Sequence, residues 1–198
     1  MFWYEEEVVR LENELSRLSY SPETIFYGSS TFTLWETLYS DFEEFKPMNI
    51  GFGGSTLAAC AWFYERILTP VTSAKTILIY AGDNDLGDGR LPEEVCLFYQ
   101  QLISRIRGQF GNISCYFISI KPSIKRWEII EHIKSANNLI KAVVDQDENL
   151  YYIDIFQETL NEQGFPRQEL FEADGLHLSQ AGYAVWKEII LRNISQKN

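Results

Sequence analysis

The stretch Thr24-Ile25-Phe26-Tyr27-Gly28-Ser29-Ser30 decides the fold of this chain. Its first four residues are β-branched or aromatic, as in a short buried strand, and Gly28 with the two serines marks a turn. A helix-like pattern follows at once over residues 31–39. A strand, a turn and a helix in this order are typical of one unit of a parallel sheet.

The same order recurs along the chain, because each further short apolar run leads through Gly, Asp or Ser into a longer helical pattern. The predicted strands are residues 24–27, 48–50, 76–80, 114–120 and 151–155. The predicted helices are residues 5–18, 31–39, 56–67, 92–107, 124–144 and 179–194. Pro92 suits a first helical turn, and Ser179 suits an N-cap. Five buried strands separated by helices predict an α/β fold with a five-stranded parallel sheet.

The chain is predicted to form a single domain over residues 1–198. Its 198 residues are 45% apolar and 15% aromatic, which suffices for one full core. No linker, repeat or low-complexity segment divides it. Residues 1–20 are expected to hold a helix that packs on this core, with a homodimer contact as the alternative use of its apolar stripe. That stripe, at spacings of three and four, consists of Val8, Leu11, Leu15 and Leu18.

Charge and cysteine content exclude several classes of protein. Seventeen basic residues stand against 28 acidic ones, and the formal charge of −11 repels phosphate backbones, so no nucleic-acid partner is expected. Residues 1–7 lack the features of a signal peptide, and no run approaches the roughly 18 apolar residues of a membrane span. We expect a cytoplasmic protein, with a trimmed secreted form as the alternative. Cys60, Cys96 and Cys115 are predicted to be reduced core thiols.

Polar residues cluster where the predicted strands end. Ser30 follows the first strand, Gly54 the second and Asn84 the third. Asp174 and His177 lie in Asp174-Gly175-Leu176-His177, just before the last helix. Because ligands gather at the carboxyl ends of the strands in an open parallel sheet, we expect these residues to converge on one crevice.

These residue types suit hydrolysis by a serine. A serine hydroxyl is a weak nucleophile until a base accepts its proton, and an imidazole oriented by a carboxylate can be that base. Ser30, His177 and Asp174 would fill these roles, and the Gly54 backbone amide and the Asn84 side-chain amide could donate to an oxyanion. Each residue also has a plainer explanation, namely a helix cap for the serine, a tight turn for the glycine and a turn role for the asparagine.

The order and spacing of these residues resemble those of the SGNH hydrolases, also called GDSL-like esterases and lipases. The resemblance extends from residue 24 to about residue 186. The resemblance implies a three-layer α/β/α sandwich similar to flavodoxin. It also implies Ser30 as the nucleophile, Asp174 and His177 as its triad partners, and Ser30, Gly54 and Asn84 as the oxyanion hole. The blocks that carry it are Phe26-Tyr27-Gly28-Ser29-Ser30, Asn49-Ile50-Gly51-Phe52-Gly53-Gly54-Ser55, Gly82-Asp83-Asn84-Asp85 and Asp174-Gly175-Leu176-His177.

At three positions the chain departs from a known sequence pattern. The name-giving motif of the family has Asp where this chain has Ser29, a position outside the triad. The G-x-S-x-G elbow of other α/β hydrolases is not matched either, because Phe32 stands at its fifth position. An acidic loop that includes Asp83, Asp85 and Asp88 departs from the EF-hand pattern, which needs Gly where Asp88 stands. No metal and no cofactor is therefore expected.

The resemblance implies a serine esterase that hydrolyses carboxylic esters through an acyl-enzyme on Ser30. Since no long insertion supplies a lid or an acyl tunnel, the expected substrate is a small-molecule ester with a short acyl group, such as acetyl on a carbohydrate. The alternatives are a lysophospholipase or thioesterase acting on longer chains, a catalytically silent ligand-binding module, and a flavodoxin-like flavin or nucleotide binder. The sequence leaves open whether Trp35, Trp62 and Trp127 belong to the core or to a sugar-binding rim.

Overall fold

The computed structural model describes residues 2–195, so the predicted domain of residues 1–198 extends past it at residue 1 and at residues 196–198. Five strands lie side by side in the order β2-β1-β3-β4-β5, and every neighbouring pair is parallel. The strands are β1 (Thr24–Gly28), β2 (Pro47–Asn49), β3 (Thr76–Tyr80), β4 (Ser114–Ile118) and β5 (Leu150–Ile153). This confirms the predicted five-stranded parallel sheet.

Helices cover both faces of the sheet. They are α1 (Glu5–Ser16), α2 (Ser30–Thr33), α3 (Leu38–Asp41), α4 (Leu57–Ile67), α5 (Asp83–Gly87), α6 (Pro92–Phe110), α7 (Ile130–Val144) and α8 (Gln180–Ile194). Side chains of β1 alternate between the two cores, since Ile25 and Tyr27 pack with α1, α4, α6 and α7 while Phe26 packs with α8. Both faces of the sheet are therefore buried, which explains why its strands have continuous apolar sequences. The result is the expected three-layer α/β/α arrangement.

Helix α1 packs on the core. Val8 and Leu11 are fully buried in the first of the two cores, and Leu15 and Leu18 pack against it. A bidentate pair between Arg66 of α4 and Glu12 fastens the outer side of the helix at 2.7 and 2.9 Å. Among residues 2–195, no helix is both long enough and apolar enough to cross a bilayer.

Two helix boundaries follow the prediction closely. Pro92 opens α6, and the Ser179 hydroxyl accepts the N–H of Gly182 at 3.2 Å as the N-cap of α8. Both residues satisfy or remove amide groups that lack partners at a helix start. The three cysteines are buried and unpaired with one another.

Two predicted helices are wrong in extent. Residues 31–39 form the short helices α2 and α3 instead of one helix, because Trp35 between them turns into the core beside Phe42. The helix predicted over residues 124–144 begins only at Ile130. Its expected first turns are a loop whose Lys125 N–H donates to the Gly175 carbonyl at 3.0 Å. A tertiary contact thus overrides the local helical pattern.

Candidate active site

Ser30 is the first residue of α2, directly after β1. The turn before it needs glycine, because Gly28 has φ +155° and a Cβ there would lie 1.9 Å from the Tyr80 carbonyl oxygen. Ser29 donates its N–H to that same carbonyl at 2.9 Å and is 1% exposed. The Ser29 hydroxyl does not cap α2 and has no hydrogen-bond partner among residues 2–195. Of the two adjacent serines, Ser29 is therefore a buried part of the turn, whereas Ser30 is partly exposed.

The structure brings the side chains of Ser30, His177 and Asp174 together, with the imidazole between the hydroxyl and the carboxylate. The Ser30 Oγ lies 3.4 Å from His177 Nε2, and His177 Nδ1 lies 2.6 Å from Asp174 Oδ2. The backbone N–H groups of Leu176 and His177 also donate to Asp174 Oδ1, at 2.8 and 3.0 Å. The hydrogen bond from Leu176 contributes most, and together with the hydrogen bonds from His177 it lowers the pKa of Asp174 to about 2. An ionised carboxylate only accepts hydrogen bonds, so Nδ1 is the donor to Asp174, and in the neutral imidazole this leaves Nε2 as the acceptor that faces Ser30.

Hydrogen bonds of the backbone hold the loop that carries this pair. The Glu172 N–H donates to the His177 carbonyl, and the Gly175 N–H donates to the Glu172 carbonyl, each at 2.9 Å. An isolated bridge joins Phe171 to Leu178 across the loop. The imidazole therefore rests on a closed turn and needs little ordering before it can act.

A loop rich in glycine follows β2 and bonds to Gly28, two residues before Ser30. Gly28 accepts two hydrogen bonds from it, from the Phe52 N–H at 3.0 Å and from the Ser55 hydroxyl at 2.8 Å. Gly54 adopts φ +68°, and nothing lies within 4 Å of the place where a Cβ would stand. Within residues 2–195, neither the Ser30 N–H nor the Gly54 N–H has an acceptor. Two backbone donors are thus free, one on Ser30 and one on the loop that bonds to Gly28.

Asn84 lies on α5, after the neighbouring strand β3. Its Nδ2 donates to the Ser55 carbonyl at 3.0 Å, and its Oδ1 accepts from Arg126 Nη2 at 2.8 Å. An amide nitrogen carries two protons, so one N–H of Asn84 remains for a ligand. No motif in the sequence points to Arg126, which lies in the loop that the helical pattern predicts as the start of α7.

A family model for GDSL-like lipases and acylhydrolases matches residues 24–185. The chain belongs to this family. Structures of similar fold include a GDSL-like lipase from Bacteroides thetaiotaomicron, with a TM-score of 0.83 and 17% identity over 96% of this chain and 98% of the other. A search of curated protein sequences gave no significant match.

Two further solved structures of similar fold cover most of the chain. A lipase/acylhydrolase from Enterococcus faecalis has a TM-score of 0.73 and 21% identity over 88% of this chain and 96% of the other. A carbohydrate esterase family 3 protein from Talaromyces cellulolyticus has a TM-score of 0.71 and 16% identity over 88% and 97%. The GDSL-like fold is therefore shared at low sequence identity.

In this GDSL-like chain, the two buried carboxylates of the loop after β3 have protein partners. Asp83 is 3.3 Å from Lys121 Nζ and 3.2 Å from Arg126 Nη1, and Asp85 accepts the Leu57 N–H at 2.7 Å. Burial opposes the effect, but the two cations lower the pKa of Asp83. Among the described residues, no three His, Cys, Asp or Glu side chains are grouped as metal ligands. The carboxylates thus support the loop that carries Asn84.

The three tryptophans have different surroundings. Trp35 is 2% exposed and belongs to the core, whereas Trp62 is 69% exposed on α4. Trp127 is partly buried and packs against Phe165, with ring centroids 5.1 Å apart. Arg126, which contacts Asn84, directly precedes Trp127. Of the three tryptophans, only Trp127 adjoins such a residue in sequence.

Proposed function

We propose that this protein is a serine esterase that hydrolyses carboxylic esters through an acyl-enzyme on Ser30. The observation that carries the proposal is the line from the Ser30 hydroxyl through His177 to Asp174, at 3.4 and 2.6 Å. The longer of these distances is within reach of a hydrogen bond, and catalytic hydrogen bonds tighten when substrate binds. Membership of the GDSL-like acylhydrolase family supports the same chemistry.

The reaction follows from the protonation states of the three groups. His177 Nε2 accepts the hydroxyl proton as Ser30 Oγ attacks the ester carbonyl, and Asp174 stabilises the imidazolium that forms. Collapse of the tetrahedral intermediate expels the alcohol, which takes the proton back from Nε2. Water then attacks the acyl-enzyme, again giving its proton to Nε2, and Ser30 is regenerated as the acid leaves.

The oxyanion of each tetrahedral intermediate needs donors that are already in place. The proposed donors are the N–H groups of Ser30 and Gly54 and the free N–H of Asn84. Arg126 supports this arrangement, since its cation next to Asn84 Oδ1 fixes the orientation of the amide and polarises it. A preset donor of this kind costs no reorganisation during the reaction.

A short acyl group, such as acetyl on a carbohydrate or another small molecule, fits this site best. Gly54 is exposed, and nothing lies within 4 Å of the place where a Cβ on it would stand, so no side chain at this point is in position to bury a longer acyl chain. The likeness to a carbohydrate esterase is consistent with this choice. Lysophospholipase or thioesterase activity on longer chains is the second candidate within the same chemistry.

A series of p-nitrophenyl esters from acetate to decanoate separates these candidates. We expect kcat/KM to be highest for the shortest acyl groups, because nothing beside Gly54 buries further methylene groups. A kcat/KM that instead rises through about eight carbons would assign the longer-chain class, since each buried methylene contributes up to ~0.8 kcal/mol.

Labelling with a fluorophosphonate tests whether Ser30 is activated. We expect one adduct by intact mass on the wild-type protein and none on Ser30→Ala. Ser29→Ala is the matched control, since it removes the adjacent hydroxyl, which is buried, and should label like the wild type. Absence of an adduct on folded wild-type protein would favour the silent ligand-binding module.

A further inference from the structure

One face of the N-terminal segment lies along the glycine loop, defined here as residues 51–54. Tyr4 donates its hydroxyl proton to the Gly54 carbonyl at 3.1 Å, and Glu7 Oε2 accepts the Gly53 N–H at 3.2 Å. Arg10 Nη2 donates to the Gly51 carbonyl, also at 3.2 Å. The three side chains are spaced three residues apart, so they stand on one side of the helix. Each holds a different residue of the loop by its backbone.

These contacts come from outside the part of the chain that matches the family model, which begins at residue 24. The segment is nevertheless firmly placed. Tyr4 is 5% exposed and packs edge-to-face on Phe52, at 5.7 Å between ring centroids. Arg10 is held in turn by Glu7 at 3.0 Å and by Glu14 at 2.8 Å. The helix can therefore act as a fixed support for the loop.

The loop needs such a support because three of its four residues are glycines. Glycine has more backbone freedom than any other residue, so a Gly-Phe-Gly-Gly segment loses the most entropy when it is held in one conformation. The N–H of Gly54 must nevertheless point at the oxyanion, because a donor only stabilises the transition state when it is preorganised.

We propose that Tyr4, Glu7 and Arg10 are positioning residues that fix the glycine loop so that the Gly54 N–H faces the oxyanion. This inference rests on the proposed esterase function. The three side chains do not touch the substrate, and they act through the backbone of residues 51–54. A loosened loop leaves ester binding largely intact and weakens stabilisation of the tetrahedral intermediate.

Substitution of Glu7 tests this inference most directly. Glu7→Leu removes the acceptor for the Gly53 N–H. We expect kcat to fall about tenfold and KM to change by no more than about twofold. This fall in kcat is smaller than the fall caused by removing an oxyanion donor altogether. Glu7→Gln keeps an oxygen acceptor and should recover most of the rate. Tyr4→Phe keeps the ring contacts and should lower kcat several-fold. Fluorophosphonate titration of active serines converts each rate to turnover per folded site.

Glu12→Leu is the matched control, because Glu12 lies on the same helix and binds Arg66 of α4 but makes no contact with the loop. It should lower the melting temperature and leave kcat unchanged. If Glu7→Leu and Tyr4→Phe behave like Glu12→Leu, the helix only fastens the fold and the inference is overturned. If the wild-type protein hydrolyses no ester and Ser30 is not labelled, the proposed function itself fails and the inference falls with it.

Discussion

Ser30→Ala and His177→Ala are each expected to lower kcat for ester hydrolysis by about 10⁶-fold, and the double variant is expected to lose no more than either single one. The reason is that the serine is useless as a nucleophile without its base, and the base has no proton to take without the serine. Steady-state kinetics of the three variants, with the melting temperature of each, measures this. Losses that multiply in the double variant would contradict a shared proton transfer.

Asp174→Asn distinguishes orientation of the imidazole from transfer of the proton. An amide donates where the carboxylate accepted, so it favours the wrong tautomer of His177. The expected loss in kcat is about 10³-fold, smaller than the roughly 10⁴-fold seen for a buried aspartate. The difference arises because the Asp174 side chain is 49% exposed, so water can replace part of its effect. A loss as large as that of His177→Ala would show that Asp174 does more than orient the ring.

The sheet and the order of the site residues could be predicted because both depend on local sequence. Strands buried on both faces have continuous apolar runs, so β3 was predicted with its observed bounds, Thr76–Tyr80. Asp174 and His177 are three residues apart, and such a spacing permits contact whatever the rest of the chain does. The rule that parallel strands share one carboxyl edge predicts that Ser30, Gly54 and Asn84 lie near one another.

The supporting residues could not be predicted, because their partners are distant in sequence. Arg126 meets Asn84 across 42 residues, and Tyr4 meets Gly54 across 50. Periodicity shows which face of α1 is apolar, but it cannot show that the polar flank with Glu7 meets a distant loop. For the same reason, residues 124–129 have a helical pattern although tertiary hydrogen bonds hold them as a loop and a short 3₁₀ turn.

Asn84→Ala is expected to lower kcat by about 10²–10³-fold, the usual effect of removing one side-chain donor from an oxyanion hole. The change in KM should be small, because the donor acts on charge that develops only in the transition state. The alanine also gives up the hydrogen bonds to Ser55 and Arg126, so kinetics must be measured below the melting temperature of the variant.

Arg126→Met provides the comparison for this variant. It leaves the Asn84 donor in place and removes the cation that fixes and polarises its amide, so kcat should fall by less than in Asn84→Ala. Because Arg126 also neutralises Asp83, at 3.2 Å, its loss is expected to lower stability as well. Wild-type kcat in Asn84→Ala would remove the asparagine from the oxyanion hole and leave the N–H groups of Ser30 and Gly54 as its donors. A graded loss, larger for Asn84→Ala than for Arg126→Met, would support an amide donor aligned by the arginine behind it.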